Sequence, residues 1–211
     1  MSEDVMNEIV RLAERHREAS PAYFRAAMRR LVGGVSVITA GAGNDISGMT
    51  VTSVSSLSAD PPSLIVSVNR ASSSWSLLKQ HRHFGVNILN ADQADIAERF
   101  SGKDGLKGAE RFAGADWIER ASGARLLSGA LAAIECEAED IIERHSHAII
   151  IGRVLHVELS ADDAALAYWH GNYVAIDREK DMARLADVSL PNGHVRDADA
   201  GAAGRFSRRE G

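Results

Sequence analysis

The stretch from Gly48 to Ser58 holds the densest set of ligand-binding groups in the chain. Thr50, Thr52, Ser53, Ser55, Ser56 and Ser58 follow one another, interrupted only by Val51, Val54 and Leu57. Short hydroxyl side chains beside exposed backbone N–H groups make an anion cradle, because they donate hydrogen bonds and leave room for the ligand. A second run, Ser72-Ser73-Ser74, stands just ahead of a helical pattern that starts at Trp75. Serines there either cap the helix or join the free N–H groups and dipole of its first turn in holding a phosphate. His81 and His83 lie two positions apart with no third ligand near, so no metal site is expected. His147 stands in a turn, Glu143-Arg144-His145-Ser146-His147. The single Cys136 excludes an intramolecular disulfide and any multi-cysteine metal site. It closes the apolar run from Leu131 and reads as a buried, inert thiol.

Absent motifs narrow the chemistry further. No Gly-x-Ser-x-Gly elbow surrounds any serine, and no Gly-x-Gly-x-x-Gly follows a strand pattern. A net charge of −5 with no basic block argues against nucleic acid as the main partner. No apolar run approaches the length of a bilayer span, and Met1 to Arg17 lacks the apolar core of a signal peptide. The expectation is a cytoplasmic protein with no membrane contact. At 211 residues, with 45% hydrophobic, the chain can form one domain with a sizeable core plus extensions.

Several strands with peripheral helices must position these groups. Val5, Ile9 and Leu12 form a helical stripe within Glu3 to Glu18. Ser20-Pro21 opens a second helix, with Tyr23, Phe24, Ala27, Met28 and Leu31, which Gly33-Gly34 breaks. Val35 to Thr39 reads as a strand, followed by a turn over Gly41 to Asp45. The Gly48 stretch is a strand passing into a loop. Its apolar residues break the period of two, so a bulge or turn lies inside it, and Pro61-Pro62 stops it. Strands follow at Leu64 to Asn69 and Phe84 to Leu89, with helices at Trp75 to His81 and Asp92 to Phe100. Ser101 to Gly108 is a Gly- and Lys-rich mobile loop. Ala130 to Ile142 and Ala148 to Leu159 are long antiparallel strands. A short helix over Ala161 to Tyr168, a loop over Trp169 to Tyr173 and a strand over Val174 to Ile176 complete the pattern. From about Asp187 the composition cannot bury a core and reads as a flexible tail. The whole suits a mainly β protein, an antiparallel barrel with peripheral helices.

The pattern Gly48-Met49-Thr50-x-Thr52-Ser53-x-x-Ser56-Leu57-Ser58-x-Asp60-Pro61-Pro62, followed by an apolar strand, resembles the flavin-binding stretch of the short-chain flavin reductases. These are the reductase partners of two-component monooxygenases. The resemblance extends from about Phe24 to Ile176 through Gly34 to Thr39, Phe84 to Leu89, Gly129 to Cys136, His147 with Ile151-Gly152-Arg153-Val154, and Gly171-Asn172-Tyr173. The order and spacing of these pieces carry it. Two departures stand out: Gly123-Ala124-Arg125 lacks the family's proline, and Ser146 replaces the acid of its Gly-Asp-His turn.

The resemblance implies an FMN-binding split β-barrel, antiparallel and Greek-key-like, that forms a homodimer with the flavin near the subunit interface. It implies an N-terminal helical extension at 1–20, the flavin-binding domain at 21–180 and a tail at 181–211. The implied activity is reduction of FMN or FAD by hydride transfer from NADH or NADPH, supplying a separate monooxygenase. Cofactors carry the bond-making in such a reaction, which explains the lack of a nucleophile set. By the same resemblance Thr50, Val51, Thr52 and Ser53 meet the flavin ring and ribityl chain, and Ser56 and Leu57 continue that contact. Ala71, Ser72 and Ser73 take the phosphate side, and Phe100 and Ser101 border the far end. His147, with Gly171, Asn172 and Tyr173, takes the nicotinamide side, His147 as the catalytic position. Two other readings stay open: a non-enzymatic flavin- or haem-binding barrel, and a flavin-dependent oxidase of a small amine. The His147 and Gly171-Asn172-Tyr173 matches favour the reductase, since a carrier needs no dinucleotide site.

Overall fold

A computed structural model describes residues 20–161 and 164–177, together with Met6 and Lys180. The helix expected over Glu3 to Glu18 and the tail expected at 181–211 lie outside these described residues.

Ser20 accepts a hydrogen bond from the Ala22 amide (3.3 Å) and opens helix α1 (Pro21–Met28), with the proline at its first position. Strands β1 (Gly33–Gly34), β2 (Ser36–Ala42), β3 (Asp45–Val51), β4 (Val54–Ala59) and β5 (Pro62–Asn69) follow. Next come helix α2 (Ser74–His81), strand β6 (His83–Ile88), helix α3 (Ala94–Ser101) and a 3-10 turn (Gly108–Phe112). The rest is β7 (Trp117–Glu119), β8 (Arg125–Leu127), β9 (Ala132–Arg144), β10 (His147–Leu159), β11 (Ala164–Trp169) and β12 (Asn172–Asp177). Among the described residues no helix is long and apolar enough to cross a membrane.

Seven strands form one sheet in the order β3-β2-β6-β9-β10-β5-β4, every pair antiparallel. Its two edge strands, β3 and β4, are consecutive in the chain and joined only by Thr52 and Ser53. Three peptide steps from Val51 to Val54 span at most about 11 Å. The sheet must therefore curl until its edges nearly meet, giving a barrel with an unpaired seam. Separately, β1, β11 and β12 form a three-stranded sheet, and β7 and β8 a hairpin.

Two apolar clusters flank β2, whose residues are buried on both faces. Ile38 and Ala40 join Met49, Leu64, Val66, Val68, Phe84, Val86 and Ile150, with Leu77 and Leu78 of α2 packed into the same cluster. Val37 faces the other way, into a cluster with Ile96, Ala97 and Phe100 of α3, Phe112 and Leu166. The strand alternation that places i and i+1 on opposite faces thus serves two cores at once. Cys136 is fully buried, and burial pushes its thiol up to about 12. Burial also pushes the carboxyl of Glu135 up, but hydrogen bonds from Ser122 (2.5 Å) and Arg120 (3.2 Å), with the Arg120 charge, more than reverse this and hold it below its ordinary value.

The expected break inside the hydroxyl stretch is present twice. Thr52 and Ser53 form the seam, and Leu57 is the extra residue of a bulge in β4, between the pairs Ser56–Leu64 and Ser58–Ser63. The helix expected over Ala161 to Tyr168 is instead strand β11, which pairs with both β1 and β12. Its alanines favour helix in isolation, but pairing on both edges and burial of Leu166 and Ala167 override that weak preference. The loop expected after it shrinks to two residues, His170 (φ 50°) and Gly171 (φ 89°), between the paired Trp169 and Asn172. Both central residues at positive φ make this a tight hairpin turn matched to the strand twist.

Gly48 is a point of close approach. A Cβ there would stand 2.6 Å from Phe100 Cε1 and 2.8 Å from the Ile38 carbonyl oxygen. The second contact is backbone and does not yield, so Gly48→Ala should destabilise by about 1–3 kcal/mol, the usual scale of overpacking. Urea unfolding should show a lower midpoint with an unchanged slope. Cys136, short of thiolate and solvent, should resist iodoacetamide in the native protein and react only once urea unfolds it.

Candidate functional site

The seam is also a binding cleft. A space of about 600 Å³ is lined by Met49 to Ser53, by Ser67 and Asn69 of β5, by Ala71 to Ser73, by Phe100 and Ser101, by Lys107 and Arg111, and by His147. Elements far apart in sequence meet here because the barrel's closure brings the ends of β3, β5 and β10 together. On one side β3 is pinned to α2 by hydroxyls: Ser74 donates to Ser47 (3.1 Å), and the Ser47 and Ser73 hydroxyls lie 3.0 Å apart. Ser73 is the N-cap of α2 yet makes no side-chain capping bond. The capping role open to these serines is replaced by a link to the barrel wall.

Several hydroxyls of the seam are already committed. Thr50 Oγ1 donates to the Ala97 carbonyl (2.6 Å), tying β3 to α3, and Ser53 Oγ donates to the Ser67 carbonyl (2.7 Å) across the mouth. These side chains shape the cleft and have spent their protons, so donors to a ligand there come from backbone N–H groups and from Thr52. Ser72 differs. Its Oγ is buried and has no hydrogen-bond partner among the described residues. A buried hydroxyl left unpaired costs roughly 1–3 kcal/mol, unless a ligand supplies the partner.

Two cations expected from no motif line the same cleft. Arg111 Nη1 donates to the Gly48 carbonyl (2.5 Å) and its Nε to the Leu106 carbonyl (2.9 Å). The segment expected to be mobile is thereby fastened to β3. Burial pulls the Arg111 guanidinium below its ordinary value, though it stays charged. Among the described residues neither Lys107 nor Arg111 pairs with a carboxylate. Partly buried, uncompensated positive charge beside an orphaned hydroxyl suits an anion such as a phosphate. Their place follows from packing and not from the sequence: Phe112, next to Arg111, packs edge-on against Phe100 (5.1 Å) and Trp117 (4.9 Å), fixing the segment beside the cleft. Phe100 itself is 2% exposed, so it is a wall of the core that shows one edge to the cleft.

His147 opens β10, opposite Asn69 of β5 and Arg144 of β9. The turn between Arg144 and His147 is just His145 and Ser146. Ser146 Oγ lies 2.9 Å from His147 Nδ1, so a hydroxyl stands where the related turn carries an acid. It orients the ring as donor or acceptor without adding charge.

Five expected residues are not brought to the cleft in this chain. Ser56 and Leu57 lie on the exposed edge strand β4, where the bulge turns Leu57 to solvent at 52% exposure. Gly171, Asn172 and Tyr173 belong to the β11–β12 hairpin of the other sheet. There Tyr173 rests on Tyr168 (5.3 Å), and burial, with Glu98 and Tyr168 near, pushes its phenol above its ordinary value. These residues were expected from the resemblance alone; strand pairing takes them elsewhere. Among the described residues no group of three or more His, Cys, Asp or Glu could hold a metal ion.

Comparison with known proteins adds a family. Residues 28–177 match the flavin reductase like domain. The reductase component of a FADH(2)-dependent resorcinol hydroxylase from a Rhizobium species is 38% identical, over 72% of this chain and 85% of its own length. An FMN reductase (NADH) of Cronobacter sakazakii is 31% identical, over 74% of this chain and 92% of its own. Among solved structures, the NADH:FAD oxidoreductase of Streptomyces globisporus superposes with a TM-score of 0.68 at 28% identity, covering 75% of this chain and 94% of that one.

The unpaired cations are testable with inorganic phosphate alone. At ten times its dissociation constant, phosphate should stabilise the native state by about 1.4 kcal/mol. The melting temperature should rise against chloride at equal ionic strength. Lys107→Ala should remove most of that rise; a rise unchanged in the variant would take Lys107 out of the anion site.

Proposed function

The chain belongs to the flavin reductase-like family, and we propose that it passes a hydride from a reduced nicotinamide dinucleotide to FMN or FAD bound in the seam cleft, delivering reduced flavin to a separate monooxygenase. The observation that supports this most directly is the meeting, in one cleft, of an orphaned Ser72 hydroxyl, the unpaired charges of Lys107 and Arg111, and His147. A phosphate-bearing ring system satisfies the first three and leaves the fourth beside the ring.

When bound, the flavin supplies the acceptor for two electrons and a proton, taken together as hydride from the carbon of the dihydronicotinamide. The protein's part is positioning. Ser72, Lys107 and Arg111 hold the anionic end. Backbone groups from Thr50 to Ser53, with Thr52 Oγ1, face the ring and offer donors where reduction gathers negative charge. His147 sits where it can hold the nicotinamide against the ring, bringing reacting atoms to about 3–3.5 Å. Phe100 closes the floor against water. Residues 21–180 carry this site as one domain. The exposed cross-strand pair Ile142 and Ile149, 39% and 41% exposed on β9 and β10 next to the cleft, supports a homodimer that covers this face.

Purified protein mixed with FMN or FAD and with NADH or NADPH should consume the nicotinamide absorbance band catalytically. Flavin binding without turnover would favour a carrier instead. His147→Ala should raise KM for NADH and slow hydride transfer about tenfold to a hundredfold, roughly 1.4–2.7 kcal/mol, while flavin affinity stays near wild type. Stopped-flow reduction of the flavin-loaded protein separates the two effects, and an unchanged limiting rate with unchanged saturation would return His147 to a structural role.

A further inference from the structure

Arg70 stands between the two walls of the cleft and holds them to one another. It sits inside the turn that carries Ser72. There the Asn69 side chain accepts from the Ala71 amide (2.9 Å) and the Asn69 carbonyl from the Ser72 amide (3.1 Å). From this turn Arg70 reaches the tip of the β9–β10 hairpin by three separate groups. Its backbone N–H donates to the Ser146 carbonyl (2.9 Å), its Nη1 to the His145 carbonyl (2.9 Å), and its Nη2 meets Glu143 Oε2 at 2.5 Å. Lys79 of α2 anchors the other oxygen of Glu143 at 3.0 Å.

The ion pair is not there for stability. Both side chains are more than a third exposed or close to it, at 40% and 34%, and such pairs contribute little to folding. Its geometry points elsewhere. His145 has φ 50°, a left-handed conformation disfavoured for a residue with a Cβ. The carbonyl that Arg70 binds belongs to this residue, and the next two residues are Ser146 and His147, whose side chains touch. Arg70 binds both carbonyls, His145 through its guanidinium and Ser146 through its backbone N–H, and so fixes the direction in which the strand starts and the aim of the imidazole.

We propose that Arg70 is a positioning residue: it locks the hairpin tip to the Ser72 turn and thereby sets the place of His147 against the nicotinamide side of the cleft. This rests on the reading of His147 given above. The proposal makes a coupled pair of residues that never touch. It also makes one turn serve both cofactors, holding the anion through Ser72 and aligning the nicotinamide through Arg70.

The test is a double-mutant cycle read by binding as well as turnover. Oxidised NAD is titrated calorimetrically into FMN-loaded wild type, Arg70→Ala, His147→Ala and the double variant, and KM for NADH and the dissociation constant for FMN are measured on each. Arg70→Ala should weaken NAD binding and raise KM about tenfold, with FMN affinity within about twofold of wild type. In the His147→Ala background the same change should shift them less than about twofold, because residues acting through one another are not additive. Arg70→Lys, which keeps charge but loses the two-pronged fork, should recover part of the loss. Should Arg70→Ala fail to fold, Glu143→Gln removes one anchor of the fork and should give a smaller effect with the same dependence on His147. Equal losses in both backgrounds, a loss confined to FMN binding, or no loss at all would overturn the role of Arg70 while His147→Ala keeps its own effect. If His147→Ala itself changes neither NAD binding nor KM, the reading of His147 fails and takes this proposal with it.

Discussion

Everything at the candidate site depends on how short the link between β3 and β4 is. Two residues, Thr52 and Ser53, join the opposite edges of a seven-stranded sheet. A sheet that long twists and opens if left to itself. Forced to return within a two-residue reach, it closes into a barrel. The closure joins β3 to β4 end to end but leaves them unpaired, because the chain passes between them at a seam instead of turning back as a hairpin. Unpaired backbone in a partly enclosed place is an unsatisfied hydrogen-bonding surface. The fold thus creates, at one spot, both the cavity and the groups that want a polar ligand.

The core supports that spot with little slack. Gly48 lets Phe100 lie against β3, and its carbonyl receives Arg111. Phe100, Phe112 and Trp117 pack together at 4.9–5.4 Å and hold the 3-10 turn in place. The cation that lines the cleft is therefore positioned by an aromatic cluster behind it, through a glycine that no other residue replaces without a clash. A change in that cluster should reach the cleft without touching it, since packed interiors shift as units. The opposite wall is built differently. His147 stands at an exposed hairpin tip whose fastening is polar and local, through Arg70, Glu143 and Lys79. One wall is rigid by burial; the other is held by a few exposed bonds.

That contrast explains what could be read from the sequence. The hydroxyl stretch was legible because its broken alternation signals an interruption, which is the seam at Thr52 and Ser53, while its prolines mark the later turn between β4 and β5. Ala71 to Ser73 were legible because serines ahead of a helix have few uses. The two long strands β9 and β10 announced themselves by alternation. By contrast Ala164 to Trp169 reads as helix from local preference, and only pairing with Gly33-Gly34 and β12 makes it a strand. One partner follows directly, but the other, Gly33-Gly34, lies far back in the chain where local preference cannot reveal it. Lys107 and Arg111 escaped for a related reason. In sequence they belong to a Gly-rich segment with the look of a surface loop, and their place follows from aromatic contacts between residues 100, 112 and 117. Gly171 to Tyr173 were named from a motif alone, and their hairpin belongs to the other sheet, outside the lining of this cleft.

The charges at the cleft show why a stable barrel would keep an arrangement that does not favour stability. Among the described residues the Lys107 and Arg111 side chains line the cleft without forming an ion pair, and Ser72 keeps a buried hydroxyl unpaired. Alanine at Ser72 would remove the second cost. Glu110, the acid beside Arg111, gives its carboxylate to the Lys107 backbone N–H (3.0 Å) and forms no ion pair with either cation among the described residues, whereas on β9 and β10 cross-strand ion pairs such as Arg153 with Glu139 are formed. Of the buried polar atoms left unpaired among the described residues, the Ser72 hydroxyl is the one that lines the cleft, and beside two cations it suits a bound anion better than the empty fold. A released flavin has to be held firmly enough to meet the nicotinamide and loosely enough to leave. An open seam with a few directed contacts, in place of an enclosed pocket, meets both requirements.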